Sequence, residues 1–407
     1  MNDSLKKLAK EVESDLKPIF NYIDDIAFIN QERVMKAFSA NKVSSVCFDS
    51  TSGYGYDDLG RETLEKIYSD VFESEAAIVR HSIVSGTHAL SIALFGLLRP
   101  HDKLLCISGK PYDTLETVIS GEGCGSLKDF LIDYKYVDLK ENNEFDLDSI
   151  LKELDNKVKI IYIQKSRGYS SRETIKNSKI GEIISLLKDK CNAYFVVDNC
   201  YGEFCEEHEP CYYGADLVVG SLIKNPGGGM AESGAYLAGK NKCIELCAQR
   251  MTCPGIGGEC GATLNQNKQL FKGIFYAPHT TAQALKTAVF ASALFEKLDF
   301  TVSPKSTDVR YDIIQTLYLK TAETIEKFCQ GLQAGSPVDS HFAPIFAPMP
   351  GYACDIIMAA GTFTQGASVE LSADAPKKPP FIVYMQGGLT YESGKYGVLK
   401  AAEAMLK

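Results

Sequence analysis

The sequence has no tryptophan among its 407 residues, no Cys-x-x-Cys pair and no apolar run close to the ~20 residues that span a bilayer. The longest, Ala89 to Leu98, is about half that length. The N-terminal stretch MNDSLKKLAKEVESD lacks the apolar core of an export signal. These absences argue against membrane or secreted classes and predict a cytoplasmic protein. Basic patches are missing too: 43 Lys and Arg face 52 Asp and Glu, for a net charge of −9. That balance makes nucleic acid an unexpected partner. No Gly-x-x-x-x-Gly-Lys-Ser/Thr phosphate loop, internal repeat or low-complexity linker occurs. Beyond Arg310 there is no arginine at all.

The thirteen cysteines form no zinc-like spacing; the nearest pairs are Cys243/Cys247, Cys200/Cys205 and Cys205/Cys211. Without an export signal they are expected to be reduced, mostly small buried apolar residues. His208, His279 and His341 stand apart, so no metal site is expected. Gly255-Ile-Gly-Gly-Glu-Cys-Gly261 follows no strand-like run and reads as a loop rather than a dinucleotide fingerprint. The acidic pair Glu206-Glu207 reads as a solvated loop.

With 45% hydrophobic and 23% charged residues the chain has the composition of a folded globular protein. Its length suggests two or three domains. Residues 1–45 read as amphipathic helices, an N-terminal arm with Leu5, Leu8, Val12 and Leu16 on one face. Within 46–298, strand-like runs (Leu104–Ser108, Lys159–Gln164, Tyr194–Asp198, Leu217–Ser221) alternate with helical stretches such as Ile180–Lys190. That alternation predicts an α/β large domain with a mostly parallel sheet. Gly234–Gly239 follows too closely for a crossover and is expected to be an antiparallel edge strand. A helix over Thr280–Leu298 should lead out of that layer. Residues 299–407, richer in proline (Pro344, Pro348, Pro350, Pro376, Pro379, Pro380), read as a smaller α+β C-terminal domain.

Ligands of open parallel sheets bind beyond the carboxyl ends of the strands, so the residues ending each run matter most. Ser85-Gly86-Thr87-His88 precedes the helix from Ala89, and its backbone N–H groups suit a phosphate. Tyr112 lies in the loop after Leu104–Ser108. Asp198 ends an apolar strand and needs a cationic or N–H partner. Lys224 follows the next strand, with Ser221 three residues before it and a pKa expected to fall through desolvation. Phosphate cradle, aromatic, aspartate and lysine in this order describe a pyridoxal 5′-phosphate site. The cradle would hold the phosphate, Tyr112 would stack on the ring and could act as an acid toward the leaving group. Asp198 would keep the ring nitrogen protonated, and the Lys224 amine would take the aldehyde and move protons.

The stretches SGTHA from Ser85, VVDNCYGEF from Val196, SLIKNPGGG from Ser221 and YMQGGLTYE from Tyr384 resemble fold-type I pyridoxal-phosphate enzymes. Within these, the chain is similar to the cystathionine and methionine lyases, and closest to the branch known as methionine γ-lyase-like or aluminium resistance proteins. The resemblance implies an aminotransferase-like large domain, a small C-terminal domain and a homotetramer of close dimers that share active sites. It also implies a tyrosine and an arginine reaching the phosphate from the neighbouring subunit, for which Tyr54, Tyr56 and Arg61 are the match. The implied activity is elimination at carbon–sulfur in a sulfur amino acid. Other reactions on the scaffold (aldol cleavage, racemisation, transfer), or cofactor binding without catalysis, remain alternatives. Those lyases hold the substrate carboxylate with a C-terminal arginine, which is missing here. The candidates are Arg167, Lys377, Lys378 or backbone. His88 stands where a small apolar residue is usual and could sit near the ring or merely cap its helix.

Overall fold

The computed structural model describes residues 3–349 and 354–406; Pro350 lies outside them. Ten helices and twelve strands follow in chain order among the described residues. The first half runs α1 (Asp3–Ala40), α2 (Leu59–Val71), β1 (Ala76–Arg80), α3 (Gly86–Leu97), β2 (Lys103–Cys106), α4 (Asp113–Ser120), β3 (Asp133–Tyr136), α5 (Leu147–Glu153) and β4 (Val158–Gln164). It continues with α6 (Asn177–Leu187), β5 (Tyr194–Asp198), β6 (Leu217–Ser221), β7 (Ala235–Gly239), α7 (Asn241–Met251) and α8 (Asn267–Lys297). The C-terminal part holds β8 (Thr301–Ser303), β9 (Gln315–Tyr318), α9 (Ala322–Ala334), β10 (Ile356–Ala359), β11 (Ser372–Pro376), β12 (Ile382–Gln386) and α10 (Tyr391–Met405).

The large sheet has the order β1-β7-β6-β5-β4-β2-β3. Strands β6 to β3 across that order are parallel, and β7 is antiparallel to both its neighbours. The antiparallel direction of β7 agrees with the sequence reading, but its edge position does not. Strand β1 pairs along its outer side, which explains why Ala235–Gly239 is apolar on both faces and wholly buried. The small sheet, β10-β11-β12-β9-β8, is antiparallel throughout.

The N-terminal segment is one helix rather than several, despite Pro18 within it. At 1.5 Å per residue it is roughly 57 Å long. Leu5, Ala9, Val12 and Leu16 recur at helical spacing and pack into the apolar core of the C-terminal part. Val34 and Ala37, near the other end, join the core under the large sheet. The arm therefore ties the two layers together. Similarly, α8 starts thirteen residues before the expected Thr280. Pro278 lies inside this helix, its missing N–H tolerated in a buried helix. No described helix is long and apolar enough to cross a membrane.

Candidate active site

The carboxyl ends of β2, β4, β5 and β6 and the N-terminus of α3 open into one cavity of about 800 Å³. The small sheet closes its far wall through Ile314, Met358, Asp374, Tyr384 and Gln386. Of the residues singled out in the sequence, Ser85, Gly86, Thr87, Tyr112, Arg167, Asp198, Ser221 and Lys224 all line this space.

Ser85 caps α3 by accepting the His88 N–H at 3.1 Å, so the Gly86 and Thr87 N–H groups lie at the positive end of the helix. A Cβ at Gly86 would approach Cys200 Sγ to 3.3 Å and Ser221 Cβ to 3.5 Å. Glycine is therefore the residue that leaves room for a group between the cradle and β6. Thr87 Oγ1 and the Tyr112 hydroxyl are 2.9 Å apart, which fixes the ring of Tyr112 beside the cradle. Burial pushes the Tyr112 phenol up, so it stays protonated. His88 turns back to its own chain, its Nδ1 accepting the Val84 N–H at 3.2 Å. It caps the helix instead of facing the cavity.

Asp198 is buried at the end of β5, where its carboxylate accepts the Cys200 N–H at 3.0 Å and the Tyr162 hydroxyl at 3.2 Å. Burial raises its pKa, and Lys224 and these donors only partly oppose that. A cationic ring nitrogen is the kind of partner that would hold it ionised.

Lys224 follows β6 on the turn Asn225–Gly227, and its Nζ lies 3.7 Å from the Tyr201 ring centroid. Its expected pKa drop is not found. Burial pushes it down, but the surrounding acidic groups Cys200, Tyr201, Asp198 and Tyr112 push it up and win. Because burial keeps the thiol and both phenols protonated, Asp198 is the partner that matters physically. Lys224 and Asp198 are both buried in the lining of one cavity and act on each other electrostatically.

Arg167 is 2% exposed. Its Nη1 donates to Ser303 Oγ at 3.1 Å and Thr316 Oγ1 at 3.3 Å. Its Nε and Nη2 have no partner among the described residues. A buried, half-unpaired guanidinium on a cavity wall is a ready fork for a carboxylate. Two residues that sequence reasoning missed hold it there. Arg172 Nη2 donates to the Gln164 and Ser166 carbonyls at 2.7 and 2.6 Å. Gln164 donates to the Ser166 carbonyl at 3.0 Å and accepts the Tyr112 N–H at 3.1 Å, joining two site loops. Lys377 and Lys378 are exposed beyond β11 and do not line the cavity.

Arg61 does not offer its charge outward. It is 3% exposed and donates to the backbone carbonyls of Gly55, Gly261 and Glu259, because Asp58 caps α2 by accepting the Arg61 N–H and the first turn carries the side chain under the 255–261 loop. Tyr54 and Tyr56, by contrast, are 72% and 53% exposed and stack on each other with centroids 5.6 Å apart. Neither lines this chain's own cavity. The 255–261 segment is a loop, as expected. Glu206 is a correction: it caps α6 by accepting the Asn177 N–H and pairs at 2.9 Å with Lys165, which is wholly buried.

The profile of the methionine gamma-lyase family matches residues 5–406. The chain belongs to that family. It is 51% identical to the uncharacterized protein YnbB of Bacillus subtilis, over 99% of this chain and 97% of that one. A Listeria monocytogenes structure, named provisionally as a cystathionine beta-lyase involved in aluminium resistance, superposes with a TM-score of 0.97. It shares 49% identity over 98% of this chain and 100% of its own. A Clostridium novyi carbon–sulfur lyase involved in aluminium resistance shares 44% identity over 99% and 96% of the two chains, with a TM-score of 0.95. With this family goes the fold-type I architecture, and the group these residues are built to hold is pyridoxal 5′-phosphate.

Proposed function

We propose that this protein is a cytoplasmic pyridoxal-phosphate-dependent carbon–sulfur lyase acting on a sulfur amino acid. The observation that carries the reading is the shared cavity. It brings Lys224, Asp198, the α3 cradle and the unpaired Arg167 fork around one space. The relatives' names point to the same chemistry. Gly86, Thr87 and Ser221 would hold the phosphate, Tyr112 the ring face, Asp198 the ring nitrogen and Lys224 the aldehyde. When bound, the cofactor supplies an electron sink for charge left at the substrate Cα. Arg167 Nε and Nη2 hold the α-carboxylate, which fixes the Cα–H bond relative to Lys224 Nζ. Lys224 Nζ, as the free amine it becomes once the substrate amine has replaced it at the aldehyde, takes the Cα proton. The Tyr112 hydroxyl, protonated and oriented by Thr87, is the acid available to the departing sulfur.

The same reading includes a homotetramer of close dimers. The exposed Tyr54–Tyr56 stack, turned away from its own cavity, is the part that would reach a neighbouring subunit's phosphate. For the lyase reading, purified protein should be yellow, should be bleached by borohydride with the label on Lys224, and should release thiol and 2-oxo acid from cystathionine, methionine or cysteine. The Lys224→Ala variant should fold and lose both the label and the turnover. Chemistry without thiol would instead favour another pyridoxal-phosphate reaction, and colour without turnover a binding protein.

A further inference from the structure

The small sheet presents Tyr384, Asp374 and Met358 to the cavity, on a cross-strand row that continues away from it to Thr316 and Ser303. Pairing runs Ser303 to Thr316, Thr316 to Tyr384, Tyr384 to Asp374 and Asp374 to Met358, and directly paired residues share a face. Arg167 is docked at one end, on Ser303 and Thr316. Asp374 lies two strands further along, and at 4.7–4.9 Å per strand the two positions are roughly 10 Å apart. The Tyr384 ring lies between them, packed against Tyr169 with centroids 4.8 Å apart.

Asp374 makes no side-chain hydrogen bond or ion pair among the described residues; it is partly exposed, whereas its neighbours Ser372, Ala373, Ala375 and Pro376 are buried. It lines the same cavity as Lys224. Partial burial on this wall raises its pKa to about 7, with its carboxylate left to the cavity. Desolvating a carboxylate without a partner is unfavourable, and no described residue pairs with it. The cavity thus carries an anion fork and a lone carboxylate on one row, separated by an aromatic face and followed by the thioether of Met358.

We propose that Asp374 is a specificity-determining residue that receives an ammonium on the part of the substrate beyond the scissile carbon–sulfur bond. The favoured substrates are then diamino thioethers, with one carboxylate on Arg167 and the distal ammonium on Asp374. A thioether with its chain extended over Tyr384 spans that separation. This inference rests on the lyase reading, so binding and turnover are to be measured separately. Holoenzyme is titrated with a diamino thioether and with the same compound bearing hydrogen in place of the distal ammonium. Dissociation constants come from the cofactor absorbance and kcat/KM from released thiol.

The wild type should prefer the diamino compound by roughly 10- to 100-fold, the size of one charge-assisted hydrogen bond. Asp374→Asn should bring that ratio close to one, and Asp374→Glu should restore part of it. A wild-type ratio near one overturns the assignment without any variant, and so does a ratio that Asp374→Asn leaves unchanged. A binding preference without thiol release supports Asp374 and removes the lyase. Thiol release without a preference does the reverse.

Discussion

Arg167 offers the sharpest test of how the substrate is held. Its Nε and Nη2 are buried and unpaired, whereas Nη1 is committed to Ser303 and Thr316. A carboxylate seated on that fork gains two charge-assisted hydrogen bonds, each worth about 1.5–3 kcal/mol. Lysine keeps the charge and can replace one of them at most. Arg167→Lys should therefore lose about 1.5–3 kcal/mol, or roughly 10- to 150-fold in kcat/KM. Arg167→Leu removes both bonds and should lose about twice that in free energy. It also frees Ser303 and Thr316, so the lysine variant is the cleaner probe. The assay is thiol release under steady state, run in parallel with the amine that lacks the substrate carboxylate. Wild-type enzyme should discriminate strongly between acid and amine, and Arg167→Lys much less. If the lysine variant stays within about threefold of wild type, or if acid and amine fall by the same factor, Arg167 does not bind the carboxylate.

Glu203 predicts a pH dependence of stability. It is wholly buried, accepts the Tyr236 hydroxyl at 3.0 Å through Oε1 and leaves Oε2 unpaired; burial raises its pKa to about 8. Between the ordinary carboxylate range and about 8 the folded chain holds a proton that the unfolded chain has released. Stability should therefore fall as pH rises through that window, by an amount on the order of a few kcal/mol, and level off above it. Glu203→Gln should flatten this slope in denaturant melts at pH 5 to 8, and an unchanged slope would refute the assignment. Gly227 predicts a local requirement of the lysine turn: a Cβ there would run into the Leu222 carbonyl oxygen. Gly227→Ala should lower cofactor retention, measured by absorbance after gel filtration, and full retention would contradict the steric reading.

Periodicity and order along the chain carried most of the large domain. A parallel strand buried on both faces is an uninterrupted apolar run, so Tyr194–Asp198 and Leu217–Ser221 were legible to the residue. The residue types at the strand ends single out Asp198 and Lys224 without tertiary geometry. Local signals could not show that β7 lies inside the sheet, because both edge and interior strands alternate with the same short turns. Nor could they show that Arg61 spends its guanidinium on three carbonyls brought in by the 255–261 loop. The charge on Lys224 is illegible for a related reason: burial is visible in an apolar neighbourhood, but the opposing Asp198 field depends on distance.

The amino-acid order by itself determined the layer, the cofactor chemistry and the residues that end each strand, since these follow from residue type and spacing. Tertiary structure alone decided what faces them. Arg167 becomes a candidate carboxylate fork only when β8 and β9 occupy one of its nitrogens and leave the others unpaired. Asp374 enters the site only because cross-strand register places it in line with Thr316 and Tyr384. Register between strands distant in sequence is set by packing of the whole sheet, and no local pattern encodes it.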